Sequence, residues 1–138
     1  MQWIDRAKLH YACQLPSETT KQGCGLAYML ATGASNRGID LSRYRTLNLA
    51  VRYTGTAQYL RVAIRNFDPR FSRIEDVNSP KFNYVNLPTK DLSHSIPISL
   101  REFTVAEWWM AQYDLPREYA HPDVSNATVS STSTCRAT

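Results

Sequence analysis

The sequence lacks the features that are typical of membrane-spanning, exported or nucleic-acid-binding chains. No apolar run approaches the roughly 20 residues of a membrane-spanning helix. Met1 leads into a polar segment, where a signal sequence would be basic and then apolar. The 16 Lys and Arg residues are scattered, so a net charge of +4 predicts no nucleic-acid-binding stripe. We expect no nucleic-acid partner, membrane contact only through flanking segments, and a chain excised from a longer protein whose targeting segment is not included.

The sequence also lacks a catalytic, metal-binding or cofactor-binding motif. His10, His94 and His121 lie far apart and have no nucleophile-elbow context. The glycines of "GCGLAY" do not join a strand to a helix, so no phosphate-binding loop is expected. Glu75 and Asp76 are adjacent, which is typical of solvated loop charge rather than of a glycosidase pair. We therefore expect no cofactor, no metal and no enzyme activity in this chain.

The three cysteines leave two hypotheses open. Cys13 lies near the end of an alternating apolar run at residues 9–15, and Cys24 opens another at residues 24–30. If these strands pair antiparallel, opposed Cβ atoms lie about 4.5 to 5.5 Å apart, close to the spacing in a disulfide. A disulfide predicts an oxidising compartment, either the periplasm or outside the cell, whereas two buried free thiols fit a cytosolic protein. Cys135 is left unpaired in both hypotheses.

Apolar residues at every second position predict β-strands along most of the chain. The strands at residues 47–53 and 59–65 are joined by a few residues around "TGTA", so an antiparallel hairpin between them is expected. In the second of these strands, the side chains of Leu60, Val62 and Ile64 are predicted to face the core. The other predicted strands span residues 9–15, 24–30, 81–88 and 93–100, with a weak strand signal at Ala127 and Val129.

One short helix is predicted near residues 105–115. Thr104 and Glu107 have capping-box spacing, and Phe103 with Trp108 has the spacing of a hydrophobic staple. Pro116 ends the helix. The staple predicts that Trp108 is buried. Two adjacent tryptophans cannot both point inward, so one of Trp108 and Trp109 is expected at the surface or at an interface. Many strands, short turns and one helix indicate an all-β protein, an antiparallel β-sandwich.

The polar faces of the strands supply the candidate ligand site. Arg guanidinium groups beside an aromatic ring suit carbohydrate hydroxyls or a small carboxylate, and a solvated sheet face is the alternative. The loop from Asp68 to Lys81 is placed beside this face. Trp109 and Tyr113 are four residues apart and share a helix face as a stacking platform. The candidate ligand-binding residues are Asn48, Arg52, Tyr59, Arg61, Arg65, Asn83, Trp109 and Tyr113.

The segment "GIDLSRYRTLNLAVRYTG" resembles galactose-binding-like jelly rolls, which include carbohydrate-binding modules and complex I intermediate-associated proteins. The matching residues are Gly38, Ile39, Asp40, Leu41, Ser42, Tyr44, Leu47 and Leu49. The runs "LRVAIRNFDPRFSRIEDVNSPKFNYVNLP" and "SLREFTVAEWWMAQYDLPREYAHPD" are similar to the N-terminal extracytoplasmic sensor domains of bacterial GGDEF proteins, the diguanylate cyclases. The likeness covers residues 3–128 and implies a jelly-roll sensor domain, followed by a disordered or foreign Ser/Thr-rich tail at residues 129–138.

The resemblance implies a non-catalytic periplasmic domain that senses a sugar or another small molecule. It would regulate cyclic di-GMP synthesis by an attached cyclase domain, since the sequence contains no GGDEF motif. The tail lacks the alternating strand that closes a jelly roll, and an open edge favours a homodimer by strand pairing. The alternative functions are a carbohydrate-binding module of a secreted polysaccharide-active enzyme and a structural dimerisation module.

Overall fold

The computed structural model describes residues 25–31, 36–92 and 95–135. Within these ranges the domain is an all-β antiparallel sandwich with one short α-helix, so the predicted fold class is confirmed. The predicted strand at residues 9–15 and the pairing of Cys13 with Cys24 lie outside the described residues. His10 and His94 also lie outside them, so what was predicted for these residues stays a prediction.

The two layers of the sandwich are a five-stranded sheet and a two-stranded sheet. The strands are β1 (Gly25–Met29), β2 (Thr46–Ala50), β3 (Tyr59–Asn66), β4 (Lys81–Pro88), β5 (Ser95–Ser99), β6 (Thr104–Val105) and β7 (Ala127–Cys135), and the helix α1 spans Glu107–Gln112. The larger sheet has the order β1-β7-β3-β4-β6, and β2 pairs with β5 in the smaller sheet. Each of these pairings is antiparallel.

The hydrophobic core lies between the two sheets. Leu60, Val62 and Ile64 alternate inward along β3, as predicted, and Val62 and Ile64 are each 1% exposed. Ile98 of β5 is fully buried and packs in the same cluster from the smaller sheet. Because successive residues of a strand point to opposite faces, the intervening residues of β3, among them Arg61, lie on the outer face of the larger sheet.

The hairpin predicted between the third and fourth strands does not form. β2 pairs with β5, and β3 pairs with β4 and β7. Leu47 and Leu49 of β2 pack onto the core that β3 covers from the other sheet, so burial of both apolar sets places the two strands in different layers. The segment between β2 and β3 is stabilised by a hydrogen bond within itself, in which the backbone N–H of Ala57 donates to the Tyr53 hydroxyl over 2.9 Å.

The Ser/Thr-rich segment that was predicted as a tail from residue 129 is part of β7 as far as Cys135. β7 lies between β1 and β3 and pairs with both. The segment has little apolar alternation, but ladders on both sides satisfy its backbone N–H and C=O groups. Its β-branched Thr residues also suit an extended backbone. The predicted domain boundary at residue 128 is therefore wrong, because the sandwich continues to residue 135 at least.

The short helix is confirmed, but its predicted capping box is wrong. Thr104 lies in β6, where it pairs with Tyr84 of β4. The residue that precedes the helix is Ala106, and no side chain caps the helix there. Strand pairing holds Thr104 in extended chain, so α1 begins only at Glu107. The Thr104–Glu107 box and the staple that depended on it are both absent.

The two adjacent tryptophans exchange their predicted environments. Trp109 is fully buried, whereas Trp108 is 45% exposed. The Trp108 ring packs on Phe82 of β4, with 5.2 Å between ring centroids. Trp109 contacts Phe71 edge to face at 5.3 Å. The later start of α1 turns Trp109, rather than Trp108, toward the interior.

Candidate ligand-binding site

Strand register brings a row of polar and aromatic side chains together on the outer face of the five-stranded sheet. Arg61 pairs with Asn86 on β4 and with Ser133 on β7. One row along, Ala63 pairs with Tyr84, which in turn pairs with Thr104 of β6. Directly opposed residues share a face in an antiparallel sheet. The sheet thus presents a contiguous strip of polar and aromatic side chains across β7, β3, β4 and β6.

Arg61 is the centre of this strip. Its guanidinium carbon lies 4.4 Å from the centroid of the Tyr84 ring, and its Nε donates a hydrogen bond to Oδ1 of Asn86 over 3.0 Å. Among the described residues, neither Nη1 nor Nη2 has a hydrogen-bond or salt-bridge partner. Stacking and the Nε bond hold the guanidinium plane in place. The two terminal nitrogens then remain for a bound group.

An open cleft of about 510 Å³ lies beside Arg61. This volume is within the range of about 300–1,000 Å³ that is usual for small-molecule sites. The lining residues come from β3, β4, β6 and the first turn of α1; they are Arg61, Tyr84, Thr104, Val105, Ala106, Glu107 and Trp108. The cleft combines an aromatic wall with one guanidinium and one carboxylate.

The opposite end of the outer face is covered by the loop at residues 67–80. The Arg65 guanidinium carbon lies 4.7 Å from the Phe82 ring centroid, and Nη1 of Arg65 donates to the Asn78 carbonyl over 3.4 Å. Burial lowers the pKa of Arg65, while the nearby Tyr113 and Asp76 oppose that shift. Arg65 therefore acts as part of the packing of this loop.

Tyr113 anchors the same loop to the helix. Its hydroxyl donates to Oδ2 of Asp76 over 2.7 Å. Desolvation, together with this hydrogen bond and the negative charge of Asp76, raises the pKa of Tyr113 to about 12. The predicted stacking platform of Trp109 and Tyr113 does exist as a ring contact at 5.9 Å, but it faces the loop rather than solvent.

Two predicted site residues are core residues. Trp109 is fully buried, and its Nε1 donates to the Ser79 carbonyl over 3.1 Å. Asn83 is also fully buried, and its Nδ2 donates to the carbonyls of Ile64 and Asp123 over 3.1 and 2.9 Å. Both side chains satisfy backbone groups inside the protein. They position the loops around the site and are not available to a ligand.

Two further predicted residues are separated from the site by the sandwich topology. Asn48 is an exposed residue of β2, in the smaller sheet, and Arg52 is exposed shortly after that strand. Tyr59, which is 41% exposed, begins β3 on the same outer face as Arg61 and Arg65. The structure brings together the predicted residues of β3 and leaves those of β2 on the other layer.

Sequence reasoning left most of the residues around Arg61 out of the candidate site. They are Phe82, Tyr84, Asn86, Glu107 and Trp108. The strand "KFNYVNLP" shows the alternation of Phe82, Tyr84 and Asn86, but alternation alone does not tell which set faces outward. Val85 and Leu87 pack against the core, which leaves the aromatic set on the outer face. The available signal was that aliphatic residues alternate with aromatic residues along this strand, which favours burial of the aliphatic set.

Lys81 belongs to a separate internal cluster. It is 1% exposed, and its Nζ donates to the His121 carbonyl over 3.1 Å and lies 5.6 Å from the Phe71 ring centroid. Burial lowers the pKa of Lys81, while Asp123 and Asp68 favour its charged form. This lysine links β4 to the segment that follows α1. It has no access to the cleft.

Within the described ranges, no group of three or more His, Cys, Asp or Glu side chains could hold a metal ion. In the same part of the chain, no helix has the length and apolarity needed to cross a membrane. Comparison with protein-family models, with curated proteins and with solved structures finds no match to this chain. The geometry of the outer face therefore carries the functional argument.

Proposed function

We propose that this domain is a non-catalytic binding module that holds a small organic ligand in the cleft beside Arg61. We further propose that it is the periplasmic sensor domain of a bacterial GGDEF diguanylate cyclase, and that it regulates cyclic di-GMP synthesis by an attached domain. The observation that carries the binding proposal is Arg61 itself, a stacked guanidinium with two unpaired terminal nitrogens among the described residues, at the wall of the cleft.

The guanidinium of Arg61 is prepared for binding before a ligand arrives. Tyr84 and Asn86 restrict its orientation, so less side-chain entropy is lost when a ligand binds. Trp108 adds an exposed ring surface to the lining of the cleft. Aromatic walls with a few placed polar groups are the usual composition of small-molecule sites.

The position of the cleft also suits a sensor. A ligand that contacts Glu107 and Trp108 contacts α1, and α1 is joined to the loop at residues 67–80 through Trp109 and Tyr113. A ligand can shift an equilibrium only through different affinities for two states. A cleft built partly from a short helix supplies an element whose position the ligand would bias. The sequence resemblance described above supports the attachment to a cyclase.

Calorimetric titration with a panel of sugars, small carboxylic acids and amino acids tests the binding proposal. We expect at least one compound to bind, and Arg61→Ala to weaken its binding by about tenfold or more, since hydrogen bonds to a charged group are lost. Arg52→Ala is the matched control, because Arg52 is exposed just after β2 of the other layer, outside the cleft lining, and its loss should leave the affinity unchanged. Binding that survives intact in Arg61→Ala would move the site elsewhere, and no binding by the whole panel would remove the proposal.

A carbohydrate-binding module is the second candidate. Trp108 and Tyr59 are 45% and 41% exposed on the outer face, and exposed rings can stack on sugar rings. Sedimentation with insoluble polysaccharides separates the two functions. A sensor of small molecules stays in the supernatant, whereas a carbohydrate-binding module sediments, and Trp108→Ala would then release it.

A further inference from the structure

We infer that the ligand of the Arg61 cleft is a zwitterion that carries both a carboxylate and an ammonium group, as a free amino acid does. This inference rests on the proposed function, because it names the class of ligand for the same site. It follows from the two opposite charges in the cleft and from the aromatic ring beside one of them.

Arg61 and Glu107 both line the cleft. They form no salt bridge with each other or with another described residue, since Arg70–Asp68 is the ion pair found within the described ranges. A purely anionic ligand would meet Arg61 but would also face the carboxylate of Glu107. A purely cationic ligand would have the reverse problem, and a neutral sugar would leave both charges without a counter-charge. A zwitterion complements both walls.

The carboxylate end of the ligand belongs at Arg61. Because Nε is already bonded to Asn86, the edge of the guanidinium that carries Nη1 and Nη2 is the edge left for a ligand. Two parallel N–H groups match the two oxygens of a carboxylate. The centroid of the Tyr84 ring lies 4.4 Å from the guanidinium carbon.

The ammonium end belongs at Glu107 and Trp108. The Trp108 ring is 45% exposed and lines the cleft together with the preceding Glu107. Trp is the aromatic side chain that attracts cations most strongly, and a neighbouring carboxylate adds charge attraction. Val105 and Ala106 also line the cleft, and these apolar side chains suit the hydrocarbon part of an amino acid.

Capped ligands test the inference on the unmodified protein. The common amino acids are titrated into the domain by calorimetry, and the strongest binder is compared with its carboxamide and with its N-acetyl derivative. We expect each cap to weaken binding by about tenfold or more, because each removes one charged contact. Galactose and succinate are titrated in parallel as a neutral and a purely anionic ligand.

Variants then assign each end of the ligand. Arg61→Ala should remove the preference for the free acid over the carboxamide, and Glu107→Gln should remove the preference for the free amine over the N-acetyl form. Arg52→Ala and Glu118→Gln, both at exposed positions outside the cleft lining, should keep the wild-type affinities. Melting temperatures establish that each variant is folded.

The outcomes separate this inference from the proposed function. Equal binding of an amino acid and its N-acetyl derivative overturns the zwitterion inference. Binding of galactose or succinate without any amino acid also overturns it, but leaves a small-molecule site at Arg61 if Arg61→Ala weakens that binding. Failure of every compound to bind overturns both.

Discussion

Arg61 and Arg65 lie on the same face of β3, and each guanidinium covers an aromatic ring of β4, yet their surroundings differ. Arg61 stacks on Tyr84 at the wall of an open cleft. Arg65 stacks on Phe82 beneath the loop at residues 67–80, where it donates to a backbone carbonyl and burial lowers its pKa. The same pair of side-chain types thus lines an open cleft at one end of the sheet and anchors a loop at the other.

The difference is made by the loop rather than by the sheet. The Ser79 hydroxyl accepts from the N–H of Arg73 over 2.7 Å and lies 2.7 Å from the Asp76 carbonyl, which closes the end of the loop on itself. Trp109 then ties Ser79 to α1 through its Nε1. A repeated pattern of stacked arginines along a strand therefore does not define a site by itself. The element packed over it decides which arginine a ligand can reach.

The largest effect on this comparison is expected from Trp109→Ala. The side chain is fully buried and donates to the Ser79 carbonyl, so its removal leaves a cavity and leaves that carbonyl only the longer 3.5 Å bond from the Ser72 hydroxyl. We expect the free energy of unfolding to fall by about 3–5 kcal/mol, measured by urea denaturation. Without the bond from Trp109 to Ser79, the loop at residues 67–80 should also loosen and expose Arg65, so that Arg65 becomes as accessible to a ligand as Arg61.

Trp108→Ala is the matched control for this prediction. The Trp108 ring is 45% exposed. In the described part of the chain, Phe82 is the one aromatic residue that it packs on. We expect its removal to cost about 1 kcal/mol or less. Equal losses of stability in the two variants would contradict the assignment of Trp109 to the core and Trp108 to the cleft.

A smaller effect is expected from the two arginines themselves. Arg65→Ala removes a partly desolvated stack on Phe82 and the bond to Asn78, so the free energy of unfolding should fall by about 1 kcal/mol. Arg61→Ala should cost about half as much, because its contacts join two strands that the β3–β4 ladder already holds together, whereas Arg65 ties down a loop. Thermal and urea unfolding of both variants measure the difference. A larger loss for Arg61→Ala would mean that the cleft end is the structural one.

Sequence patterns predicted the sandwich because its strongest strands alternate cleanly. Leu60, Val62 and Ile64 of β3 were placed inward correctly, and Lys81–Pro88 was recognised as a strand. β7 was predicted only as a weak signal at Ala127 and Val129, and its continuation to Cys135 was missed, because its backbone pairs on both sides while its side chains are mostly Ser and Thr. Apolar periodicity reports side-chain burial, so it does not detect a strand that is held mainly by its ladders.

The candidate site was predictable only within a single strand. Arg61, Arg65 and Tyr59 were placed on one face because alternation within β3 requires it. Asn48 and Arg52 were added through a hairpin that does not form, since pairing between strands depends on how two apolar faces share a core. Glu107 and Trp108 depended on where α1 begins, and the pairing of Thr104 with β4 sets that start.

The smallest effect is expected at alkaline pH, from the hydrogen bond between Tyr113 and Asp76 that anchors the loop at residues 67–80. The folded-state pKa of Tyr113 is about 12, above its ordinary value of 10.0, because burial and the bond to Asp76 favour the protonated hydroxyl. A raised pKa in the folded state contributes stability that is complete below about pH 10 and is lost as the pH rises through about 12. Tyr113→Phe should remove this part of the alkaline loss in the unfolding free energy, measured by urea denaturation across that range.

Tyr59→Phe, at the exposed start of β3, is the control and should keep the wild-type pH profile. If Tyr113→Phe instead kept the full alkaline loss, the loop would be held at Arg65 and Ser79 without help from Tyr113.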